Sequence, residues 1–172
     1  IQFALEQSCN TVFAQIAWEV GQDALSEQAS KFGFGESFSI PTPVTASQFP
    51  ETEDQAELAL SSIGQGSVTA TPLQVAMISA AIANNGVQMT PNLIKTVRAP
   101  DLSVLDEPEP TVLNDSISPG TAAQLTDWMV SVVDNGTASA ARIPGVKVAG
   151  KTGTAEVQDR GDNAWFTGFA PA

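Results

Sequence analysis

The spacing of apolar residues changes once along this chain, and that switch constrains its fold more than any other feature. Val12, Phe13, Ile16, Ala17 and Val20 recur every three or four residues, the period of one helix face, and Leu125, Trp128, Met129, Val132 and Val133 repeat the pattern. Further on the period drops to two. Val146 and Val148, then Ala155 and Val157, alternate with other residues, and 164–169 (AWFTGF) form a second extended run. Helices first and two adjacent antiparallel strands last predict an α+β fold, with helices packed on an antiparallel sheet, rather than alternating α/β order.

Local signals bound the elements. Asn10 is placed to cap a helix over 11–20 that stops at Gly21, and Asp23 to cap a second one that runs to about Lys31 and ends at the FGFG of 32–35. The proline-containing stretch 40–50 reads as loop, followed by a short helix over 54–61. Thr71 and Pro72 cap and open a helix to about Asn84 that is apolar on several faces, so it is expected to be buried. A strand over 92–98, an acidic surface excursion over 101–116 and a helix opened by Ser118-Pro119 and ended by the NGT of 135–137 complete the series. There is no internal repeat, and 172 residues at 42% hydrophobic suffice for one core, so 1–172 reads as part of one domain.

Composition narrows the chemistry. The chain has no histidine, which excludes Ser-His-Asp triads, Cys-His proteases and most zinc sites, because each requires imidazole. Carboxylates, lysines, hydroxyls and the single Cys9 remain as candidates for catalysis. Cys9 is expected to be a small buried residue. A net charge of -12, with 7 bases scattered singly among 19 acids, is the wrong sign and pattern for phosphates, so nucleic acid and anionic membrane surfaces are not expected partners. No apolar run approaches the ~18 residues needed to cross a bilayer. The opening IQFALEQSCN has neither a basic nor an apolar leader segment and begins as if inside a structured element, so the chain is expected to be a fragment.

Residues 145–152 (GVKVAGKT) match the phosphate-loop pattern, but their context refuses it. No apolar strand precedes Gly145, and Gly153 and Gly161 leave no room for the required helix. The Arg160-Gly161-Asp162 tripeptide and the NGT sequon read as ordinary turns. On a strand, Lys151 would face one way while Thr152 and Thr154 present hydroxyls on the other face. Gly153 would let an extended peptide lie close along the strand, with main-chain hydrogen bonds and a nearby ammonium. An ordinary strand is the plain alternative.

Taken together, Ser8-Cys9-Asn10 at a helix entrance, Lys151-Thr152-Gly153-Thr154 on a strand and 164–171 on the next strand resemble the transpeptidase domain of penicillin-binding proteins. The SIGQG of 62–66, the TPLQVA of 71–76 and the NNG of 84–86 are similar to that family's stretches around a long buried helix. The resemblance is to the monofunctional, class B group, with a penicillin-binding protein and serine β-lactamase-like fold. The family's Ser-x-x-Lys is missing: none of Lys31, Lys95, Lys147 or Lys151 has a serine three residues before it. Truncation ahead of Ile1 is the expected cause, and the family's fold also continues past Ala172, so the fold is expected to be incomplete at both ends.

What the resemblance implies is a peptidoglycan D,D-transpeptidase, a target of β-lactams, whose nucleophilic serine lies outside this chain and which needs no metal or organic cofactor. Ser8 would relay a proton, Asn10 would hold a substrate amide and Lys151 would supply positive potential. Thr152 and Thr154 would bind the terminal carboxylate, with the Thr154 N–H as half of an oxyanion hole. Stem peptides, β-lactam antibiotics and proteins of cell division or elongation are the implied partners. The implied location is the extracytoplasmic face of the bacterial cell membrane, with an anchor upstream. A non-catalytic scaffold of the division machinery, and a serine β-lactamase or carboxypeptidase, are the alternatives.

Overall fold

A computed structural model of the chain describes residues 1–157 and 161–172. It is an α+β molecule. The helices are α1 (Gln2–Glu6), α2 (Asn10–Val20), α3 (Gln22–Lys31), α4 (Gln55–Ser62), α5 (Pro72–Ala83) and α6 (Pro119–Asn135). The strands are β1 (Phe38–Ser39), β2 (Pro43–Val44), β3 (Val87–Met89), β4 (Val97–Arg98), β5 (Val104–Asp106), β6 (Val112–Asp115), β7 (Ala149–Ala155) and β8 (Asn163–Phe169). Among the described residues the strands form four two-stranded antiparallel ladders, β1–β2, β3–β6, β4–β5 and β7–β8. Only the last is long, and it keeps one register from Ala149 opposite Phe169 to Ala155 opposite Asn163.

α5 and α6 begin where Pro supplies the first helical residue and the preceding side chain satisfies an orphan amide. Thr71 accepts from the Gln74 N–H at 3.1 Å, and Ser118 from the Thr121 N–H at 3.1 Å. Asp54 caps α4 through the N–H groups of Ala56 and Glu57. The core lies where α6 meets β7. Val132, Val133, Ala138 and Val148 pack with Leu5, while Ile82, Met129 and Ala149 pack with Ile78, Leu125 and Phe169. α6 therefore bridges α1 on one side and α5 with the β7–β8 ladder on the other.

Several expectations are corrected at element ends. Asn10 is the first residue of α2, and Cys9 stands at its N-cap, with no side-chain cap bond. Asp23 lies in the first turn of α3, and Gly21, at φ 86°, holds the cap position. Cys9 is partly exposed rather than buried, because the cap position leaves its Sγ outside the helix and 3.5 Å from the Thr11 hydroxyl. The strand expected over 92–98 shrinks to Val97–Arg98, because the Asn92 side chain captures the Ile94 N–H at 2.9 Å and holds a turn. The excursion over 101–116 is largely exposed, as expected, but it carries β5 and β6. Arg160 of the expected Arg160-Gly161-Asp162 turn lies outside the described residues.

Candidate active site

Ser8 lies at the end of α1 in a position that normally favours glycine. The Ser8 N–H bonds Leu5 O at 3.3 Å and the Cys9 N–H bonds Ala4 O at 2.8 Å, the paired bonds of a Schellman motif, with Ser8 left-handed at φ 52°. A side chain in that conformation costs ~1–2 kcal/mol relative to the right-handed form. The cost brings a hydroxyl to face β7: the Lys151 ammonium donates a hydrogen bond to Ser8 Oγ across 143 residues of sequence.

Lys151 also donates to the carbonyl of Thr152 at 2.8 Å. Alternation along β7 sends the two side chains to opposite faces, and pairing of Lys151 with Thr167 and of Thr152 with Phe166 fixes those faces. The lysine stem nevertheless curls around the open edge of the ladder, since among the described residues β7 pairs only with β8. Burial holds the Lys151 ammonium below its ordinary pKa. The one ion pair among the described residues is Lys31 with Glu27, so no carboxylate offsets this burial. Because an ammonium only donates, Ser8 Oγ accepts from it and keeps its own proton to give elsewhere.

A residue missed by the sequence reading completes the cluster. The Thr137 hydroxyl lies 2.7 Å from that of Thr152. Thr137 belongs to the NGT that ends α6, and its role as a helix stop hid its position. The signal that could have found it is Gly136: a Cβ there would stand 2.4 Å from Glu6 O, so only glycine lets the end of α6 close on α1. The Thr137 N–H then bonds that same Glu6 O at 3.2 Å.

Beside the cluster lies a cleft of about 540 Å³ whose lining includes Lys151, Thr152, Gly153, Thr154, Trp165 and Gln65. A Cβ on Gly153 would meet only Trp165 Cβ, at 3.5 Å, so the absence of a side chain leaves cleft space rather than relieving a clash. Ser8 joins this cleft only through Lys151. Asn10 is exposed at the first turn of α2, and no hydrogen bond among the described residues connects it to the cluster. The Cys9 thiol is held below its usual pKa, chiefly by the Thr11 hydroxyl. The phosphate-loop reading is excluded by geometry, since Lys151 and Thr152 lie within β7 instead of opening a helix.

A left-handed serine bonded to a half-buried lysine thus stands beside a pair of threonine hydroxyls on an open strand edge. The family model of the penicillin binding protein transpeptidase domain matches residues 1–172, and the chain belongs to that family. Its similarity lies with the class B proteins. The peptidoglycan D,D-transpeptidase PbpA of Mycolicibacterium smegmatis is 39% identical over 177 residues, which take in all of this chain and 36% of that relative. The peptidoglycan D,D-transpeptidase MrdA of Acinetobacter baumannii is 30% identical over 98% of the chain and 29% of its own length. The chain thus spans about a third of the curated relatives it matches. Among solved structures, penicillin-binding protein A of Mycobacterium tuberculosis superposes with a TM-score of 0.93 at 38% identity, over 99% of this chain and 41% of that one. The same protein has been captured as an imipenem acyl-enzyme complex.

Proposed function

We propose that residues 1–172 are part of one domain of a peptidoglycan D,D-transpeptidase and that they supply its active site apart from the acylating serine and the lysine that activates it. The acylating serine and its lysine would lie in a segment ahead of Ile1. In this reading the serine oxygen bonds to the carbonyl carbon of the penultimate D-Ala of a stem peptide. The bond to the terminal D-Ala nitrogen breaks, and the serine proton passes to that nitrogen. An amine of a neighbouring strand then bonds to the acyl carbon, the ester bond to the serine breaks, and a proton from the amine returns to the serine oxygen.

The observation that carries the reading is the Lys151 to Ser8 hydrogen bond beside the Thr137 and Thr152 hydroxyls. Ser8, held by the ammonium, is a donor and acceptor able to hand the proton to the leaving amine. Lys151 places positive charge where the terminal carboxylate would lie, between the hydroxyls of Thr152 and Thr154. The outward Thr154 N–H serves the developing oxyanion, and Asn10 would hold a substrate amide. β-Lactams would acylate the same serine. The extracytoplasmic membrane face is the location this substrate implies, and among the described residues no helix is long and apolar enough to cross a membrane.

The test is labelling with a fluorescent penicillin. A longer protein that includes an upstream Ser-x-x-Lys segment is expected to take one covalent label per chain, and residues 1–172 alone none. A stoichiometric, denaturation-resistant label on residues 1–172 would require a different nucleophile and a new mechanism.

A further inference from the structure

The open edge of β7 is partly occupied. In an antiparallel ladder a residue's N–H and C=O point the same way, and alternate residues face alternate neighbours. The Thr152 and Thr154 carbonyls bond to side chains instead of β8, so the main-chain groups of Thr152, Thr154 and Glu156 face the open edge. The Gln65 carboxamide takes two of these groups at once. Its Nε2 donates to Thr154 O at 2.9 Å, and its Oε1 accepts from the Glu156 N–H at 3.2 Å. One side-chain amide thereby fills the rungs that a peptide group of an added strand would fill.

Local structure aims it there. At the end of α4 the Gly64 N–H bonds Ser61 O at 3.1 Å and the Gln65 N–H bonds Leu60 O at 3.0 Å, again the Schellman pair. Gly64, at φ 74°, is the left-handed residue, and Gln65 follows as the first residue projected off the helix end. The bond to β7 spans 89 residues of sequence, and Gln65 lines the cleft together with Gly153. Thr154 N–H remains the open donor between the ammonium and this plug.

We propose that Gln65 is a specificity-determining residue that plugs the β7 edge and sets how much of an extended ligand is read by main-chain pairing. This rests on the transpeptidase reading above. A ligand strand running antiparallel to β7, with its carboxylate at Thr152, meets Thr154 first and Glu156 next. Its first amide beyond the reacting carbonyl competes with Gln65 Nε2 for Thr154 O, and any further carbonyl finds the Glu156 N–H taken. Ligands that end at the reacting group avoid this competition.

The experiment uses the longer protein that includes an upstream Ser-x-x-Lys segment and two β-lactams, penicillanic acid, which carries no nitrogen substituent beside the reacting carbonyl, and benzylpenicillin, which carries an amide there. Gln65→Leu is expected to raise the ratio of acylation rate constants, benzylpenicillin over penicillanic acid, by about fivefold, the value of one hydrogen bond. It should also speed hydrogen exchange at the Glu156 amide. Gln65→Glu keeps an acceptor for Glu156 but loses the donor to Thr154, so it should raise the ratio while Glu156 stays protected. If Leu at this position prevents folding, judged by a thermal melt, the Glu variant decides alone. A parent that is acylated, with a ratio unchanged or lowered in the folded variants, overturns the role of Gln65. A parent that no β-lactam acylates overturns the transpeptidase reading instead.

Discussion

At the scale of single residues, the site is built against stability. Lys151 is a half-buried cation with only a hydroxyl and a carbonyl to receive it, and burial lowers its pKa. Below both pKa values the folded chain bears the full desolvation cost of the charge. Between the folded value and the unfolded value near ~10.4, the unfolded chain binds more protons, so stability rises with pH across that window. Lys151→Met is therefore expected to melt no lower than the parent at pH 7. Its advantage should shrink as the pH is raised towards ~10.4, while acylation of the longer protein falls on the order of 10²-fold. An advantage that instead grows with pH would show that the ammonium is net stabilised. Ser8 makes the same trade through its backbone. Ser8→Gly removes the left-handed penalty and should stabilise the chain by about 1 kcal/mol, while Ser8→Ala retains the penalty; both should lose the relay. Equal melting temperatures for the two variants would contradict the strain argument.

At the scale of elements, the site depends on α6 closing onto α1. Ser131 donates to Glu6 Oε1 at 2.6 Å and receives Gln2 Nε2 at 3.3 Å, while Gly136 permits the backbone approach that places Thr137. Gly136→Ala is expected to cost about 1–3 kcal/mol, the range of an overpacked contact, and to weaken carboxylate capture by shifting Thr137. Denaturant melts and acylation kinetics would check both, and full stability with normal capture would remove the clamp from the account. α5 and α6 were legible because a capping hydroxyl, a proline and an apolar run agree, and β7 and β8 as two adjacent extended runs, although of Val146, Val148, Ala155 and Val157 only Ala155 falls inside β7. β3 and β6 were not. They run three and four residues with a register shift after Gln88, and their pairing joins segments that no local pattern connects. Of the site, Ser8, Lys151 and Thr152 could be named from motif order. Thr137 and Gln65 could not, because each reaches β7 through a helix end whose exit direction only the packed structure sets.

For the molecule as a whole, packing and charge pull in different directions. The core gathers about α6 and the start of β7, so Met129→Ala should cost about 2–5 kcal/mol. The β4–β5 hairpin contributes little: Leu105 is 67% exposed, and its replacement by Ala should change stability by under ~0.5 kcal/mol. Against that small core stands a net charge of -12, with one exposed ion pair among the described residues to offset it. Like charges confined to a folded chain repel, and unfolding lets them separate. Salt shortens the reach of that repulsion from about 10 Å at 0.1 M to about 3 Å at 1 M. Sodium chloride acts mainly by screening, unlike sulfate, so raising it from ~20 mM to ~0.5 M at pH 7 should stabilise the chain by about 1 kcal/mol and lift Tm by about 2–4 °C. The gain should vanish near pH 4, where the net charge approaches zero at the sequence pI of about 4.1. A Tm that falls with salt at pH 7 would mean that attractive pairs, not repulsion, dominate the charge energy of the folded chain.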